Sequence, residues 1–76
     1  MREERFLVTF PAATGAMAME RLCKDAGIPG RLIPLPRAVA AGCGLCWSAP
    51  PGARQAVEDL LLRERMDVDG FYTMLI

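Results

Sequence analysis

The 76-residue sequence predicts an α+β fold in the order β-α-β-β-α-β, on three observations. Two stretches, 12–26 and 53–61, repeat apolar residues at three- and four-residue intervals, the period of one helix face. Four short stretches around them read as strands, being rich in β-branched and aromatic residues or alternating in polarity. Pro34 stands inside the second of these, and its missing N–H restricts that strand to a sheet edge. Right-handed crossovers independently put the second and fourth strands at the edges and the first and third at the centre. The pattern is the split βαβ sandwich of ferredoxin-like folds, a four-stranded antiparallel sheet with two helices on one face.

The first strand is Arg5-Phe6-Leu7-Val8-Thr9-Phe10, stopped by Pro11. Phe6, Val8 and Phe10 share one face and Leu7 and Thr9 the other. Thr14 offers a hydroxyl N-cap to the first helix, whose apolar stripe is Ala12, Ala16, Met19, Leu22, Cys23 and Ala26. Lys24 falls in the last turn, Gly27 suits a left-handed position just past it, and Ile28 closes back on the helix. Gly30 to Leu35 forms the second strand, Pro36 to Gly42 a loop, and Gly44 to Ala49 the third strand. In the third strand Leu45, Trp47 and Ala49 point one way, Cys46 and Ser48 the other. Pro50-Pro51-Gly52 opens a second helix with stripe Ala53, Ala56, Val57, Leu60 and Leu61 and an outer Arg54–Glu58 pair. That helix is expected to fray near Arg65 or Met66. Asp69-Gly70 turns into a closing strand, Phe71 to Ile76, apolar on both faces.

A chain of this length makes one domain, 1–76, and buries only about 60% of the surface its unfolded form exposes. Its 53% hydrophobic content exceeds what one small core needs. The surplus predicts a homodimer or partner surface, on the free sheet face or an edge strand. Nine basic and nine acidic residues cancel, which argues against a nucleic-acid partner. The charged start, Met1 to Arg5, is no signal peptide, and the uncharged run Ala38–Ala53 is too short and broken to span a membrane. A cytoplasmic protein with reduced thiols is the expectation.

Histidine is absent, so the chemistry must come from three cysteines and isolated charges. Cys43 lies between Gly42 and Gly44 at a loop–strand junction, where backbone N–H groups can form an anion-stabilising nest. Arg37 is the one charge between Arg31 and Arg54. It reads either as an anion clamp that favours a Cys43 thiolate or as a loop arginine held by carbonyls. Cys43 itself reads either as that thiolate or as a small buried residue. Cys46 completes a C-x-x-C spacing and is a secondary thiol. In a strand residues three apart lie about 10 Å apart, beyond the roughly 7 Å that a disulfide allows, whereas a tight turn at Gly44 would keep a Cys43–Cys46 redox pair open. Cys23 and Trp47 read as core, and the methionines as gap-fillers. No metal site and no cofactor is expected within one chain, although a dimer could assemble four thiolates.

The run Leu32-Ile33-Pro34-Leu35-Pro36-Arg37, followed after a few small residues by Gly42-Cys43-Gly44, resembles a small uncharacterised bacterial family of selenium/sulfur carrier-like proteins. The resemblance covers nearly the whole chain. It implies a non-catalytic α+β carrier that holds sulfur or selenium on Cys43 as a persulfide or selenosulfide. Donor and acceptor proteins are then its partners. Arg37 corresponds to the motif arginine and Cys43 to the motif thiol, whereas Cys46 matches no motif position. The Cys-Pro-x-Pro signature of better-known sulfur carriers is absent. The alternative is an accessory interaction module that docks through its free sheet face, with Cys43 structural.

Overall fold

The computed structural model describes residues 2–39 and 44–76. Its elements are β1 (Glu4–Thr9), α1 (Ala13–Ala26), β2 (Arg31–Pro34), β3 (Leu45–Ala49), α2 (Arg54–Arg63) and β4 (Gly70–Leu75). A short 3-10 turn, Pro51–Ala53, leads into α2. The strands form one antiparallel sheet in the order β2-β3-β1-β4, the α+β ferredoxin-like arrangement expected. Pro34 sits on an edge strand, as its missing N–H requires.

The strand parity sorts side chains as the alternation predicts. Phe6, Val8, Phe10, Trp47 and Ala49 join Ala16, Met19, Cys23, Val57, Leu60 and Leu61 in the core beneath the helices. Phe71 stacks on Phe6 with ring centroids 5.7 Å apart, and the Arg54 guanidinium lies 4.8 Å over the Phe6 ring. Ala12, Ala26 and Ala56, assigned to the buried stripes, are exposed at the margins. Arg54 and Glu58 make the expected pair at 2.9 Å on the outside of α2.

The helix ends depart from expectation in two places. Thr14 is no cap: α1 begins at Ala13, with extended Ala12 before it and no side-chain cap. A Cβ added to Gly15 would lie 3.3 Å from the Phe10 ring, so the first turn packs closely against the end of β1. At the other end Gly27 is left-handed (φ 72°), with Gly27 N–H donating to Lys24 and Ile28 N–H to Cys23. This is the predicted Schellman closure. The second helix does not fray. Arg65 takes the left-handed position (φ 52°), Arg65 N–H donates to Leu62, and Met66 N–H donates to Leu61.

The sheet face away from the helices is not bare. Leu7 and Cys46 are fully buried there beneath Val39, with Ile33, Leu35, Tyr72 and Met74 packed around them. The loop after β2 thus folds over the centre of the face that was expected to be free, and a second small core results.

Candidate functional site

The β2–β3 connection continues the ladder by one more bond before it leaves the sheet: Leu35 N–H donates to Gly44 O at 3.0 Å. Next comes a tight turn, closed by Val39 N–H donating to Pro36 O at 3.0 Å. Pro36 is the first residue of this turn, with Arg37 and Ala38 at its centre, and Val39 inserts its side chain onto Leu7 and Cys46, leaving only 4% of its surface exposed. The described part of the loop is therefore held at its base by a hydrogen bond and at Val39 by an apolar anchor. Arg37 stands on the turn, exposed, with no ion pair among the described residues.

Gly42 and Cys43 lie outside the described residues, as do Ala40 and Ala41. The separations of Cys43 from Arg37 and from Cys46 therefore lie outside them too. Gly44 is described and exposed. A Cβ placed on it would meet nothing within 4 Å.

The other two thiols have well-defined surroundings. Cys23 is fully buried on α1 in the larger core, and burial pushes its pKa up from 9.0 to about 11. Cys46 is equally buried on the opposite sheet face, paired in register with Thr9 on one side and Ile33 on the other. Trp47, its neighbour, points into the helix-side core as predicted, and its Nε1 is buried without a hydrogen-bond partner. No group of three or more Cys, Asp or Glu side chains suited to a metal ion occurs among the described residues.

A polar cluster that the sequence reading missed occupies the other end of the open face. Arg5 Nε donates to Ser48 Oγ at 2.9 Å and its Nη2 to Ser48 O at 3.2 Å. Arg31 is paired in register with Ser48, and these residues line a groove of about 530 Å³. Parity carried the signal: Arg5 shares a face with Leu7, and Ser48 with Cys46. The same open face therefore carries an arginine–serine patch at one end and the anchored Arg37 loop at the other. Among the described residues no helix is long and apolar enough to cross a membrane.

Compared with known families, the chain matches over residues 5–73 the family described as "Putative Se/S carrier protein-like". No curated protein and no solved structure matches it.

Proposed function

The chain belongs to the Se/S carrier protein-like family, and from that premise we propose that it accepts sulfur or selenium on Cys43 and relays it to an acceptor. The observation that carries the choice of residue is the burial of the alternatives. Cys23 and Cys46 are each 0% exposed, and Cys23 is further disabled by its raised pKa, because the thiolate is the nucleophile. That leaves Cys43 as the thiol for exchange chemistry.

The Cys43 thiolate attacks the terminal sulfur of a donor persulfide, R–S–SH. An S–S bond forms to Cys43, the donor's S–S bond breaks, and R–S⁻ leaves, with no net oxidation. An acceptor thiolate then attacks the terminal sulfur of the Cys43 persulfide and regenerates the Cys43 thiolate. Selenium moves likewise when the donor is R–S–Se–S–R: Cys43–S–Se–S–R forms and R–S⁻ leaves. Arg37, exposed on the anchored turn of the same loop, supplies a guanidinium to the anions in these steps. Gly42 and Gly44 keep the approach to the sulfur free of side chains. The donor and acceptor are proteins that engage this loop, and the chain itself provides no second catalytic group. A reducing compartment such as the cytoplasm is where such a thiol persists.

The test is loading with inorganic polysulfide or with R–S–Se–S–R, followed by intact mass and peptide mapping. Wild type should gain one sulfur atom, or one Se–S–R group, on the peptide that contains Cys43, and Cys43→Ser should gain nothing. Equal loading of both proteins overturns the assignment. Arg37→Ala should slow loading at low ionic strength without abolishing it.

A further inference from the structure

We propose that the outer edge of β4 is a self-association site, on which a second copy pairs its own β4 antiparallel about Thr73. The inference does not rest on the sulfur-carrier reading.

Hydrogen-bond parity fixes what this edge presents. Glu3 and Ile76 exchange both backbone bonds, at 2.9 and 3.0 Å, and are therefore a hydrogen-bonded pair. Bonding alternates along an antiparallel ladder, so Met74 and Tyr72 turn their backbone groups toward β1. Phe71, Thr73 and Leu75 turn theirs outward. Among the described residues no strand lies beyond β4.

The two edges of the sheet are not equivalent. β2 is four residues long, begins with Arg31 and carries Pro34, all devices that discourage pairing. β4 is six residues long and holds neither a charge nor a proline. A β4–β2 contact between copies would be head-to-tail and would grow into filaments, and the blunted β2 edge opposes it. The remaining arrangement is a two-fold one. Centred on Thr73, it sets Thr73 opposite Thr73 of the second copy, and Phe71 opposite Leu75. Every outward N–H and C=O then finds a partner.

The side chains suit the same register. Phe71, Thr73 and Leu75 share the helix side of the sheet, yet the helices leave Phe71 45% and Leu75 61% exposed. Pairing lays the Leu75 of one copy beside the Phe71 of the other. There it extends the mostly apolar groove formed by Leu61, Leu62, Met66, Val68 and Phe71 with Glu58 at its side, about 260 Å³, whose Leu62 is itself 78% exposed. A single six-residue strand pair lies at the small end of specific interfaces, so the dimer should dissociate on dilution.

The experiment is light scattering across a dilution series, combined with amide hydrogen exchange on the full chain. The proposal expects a concentration-dependent dimer in which the Phe71, Thr73 and Leu75 amides gain protection. Those of Tyr72 and Met74, bonded to β1 in either state, should not respond. Thr73→Pro deletes only an outward N–H and should give a folded monomer by circular dichroism. Should that variant unfold, Leu75→Lys serves instead, with the same expectation of a monomer. In a Cys43→Ser background, Thr73→Cys should cross-link to itself on mild oxidation. A wild-type chain that stays monomeric up to millimolar concentration overturns the proposal. So does a dimer that survives the folded variant with unchanged protection along β4.

Discussion

Gly30 and Trp47 meet so closely that the glycine leaves no space for any side chain. A Cβ at Gly30 would lie 2.6 Å from Cζ2 and 2.7 Å from Nε1 of the indole, and the backbone there has φ 148°. Gly30→Ala should therefore combine overpacking with a disfavoured conformation and cost about 2–4 kcal/mol, a large share of what a domain this small has to lose. Urea unfolding followed by fluorescence of Trp47, the single tryptophan, measures it directly. Gly44→Ala is the contrasting case, since a Cβ there would meet nothing within 4 Å. Its stability should stay within about 1 kcal/mol of wild type, with any gain coming from a less flexible unfolded chain. Local sequence marked Gly44 as special and passed over Gly30. The reason is physical: the demand on Gly30 comes from a tryptophan seventeen positions away, which no local pattern contains. Trp47 itself was legible as core, because strand parity alone decides which face it joins.

At the scale of elements, the two helices end with the same hydrogen-bond closure but different residues at the left-handed position. Gly27 takes φ 72° without strain, whereas Arg65 holds φ 52° with a Cβ in place. A left-handed conformation costs an ordinary residue about 1–2 kcal/mol. Gly27→Ala, with nothing within 4 Å of its added Cβ, should lose about 1 kcal/mol through conformation alone. Arg65→Gly should gain roughly 0.5–1 kcal/mol at the other helix, because the closure through Leu61 and Leu62 carbonyls is already built. Opposite shifts of the thermal midpoint for the two variants check this. A shared loss would mean that the Arg65 side chain itself holds the turn. The sequence announced the first closure through glycine and hid the second, where packing of Met66 on the core pulls the chain round. The start of α1 was hidden for a related reason, since no side chain caps it and its first turn packs Gly15 closely against Phe10.

Over the whole molecule, the strand order followed from chain order, crossover handedness and one proline, all of them readable without coordinates. The covering of the open face did not, because it depends on Val39 reaching back across the sheet to Leu7 and Cys46. That covering also weakens the case for a docking module built on a bare sheet face. Of the candidate site, the sequence placed Arg37 and Cys43 in one loop, and the structure adds the anchor that holds the Arg37 half. The burial of Cys23 makes a further statement about the molecule as a whole. Burial pushes its thiol up to about 11 in the folded chain, from the ordinary 9.0 of the unfolded one. Between those values the folded state holds a proton that the unfolded state releases, so unfolding becomes easier as pH rises. This contribution to stability is complete below pH 9 and is lost progressively as pH approaches about 11. Comparing urea midpoints of wild type and Cys23→Ala across that window isolates it from every other titrating group. Wild type should lose more stability than the variant between the two ends. Parallel curves would mean that Cys23 ionises as readily inside the fold as outside it, and that the core around Phe6, Met19 and Val57 opens before the chain unfolds.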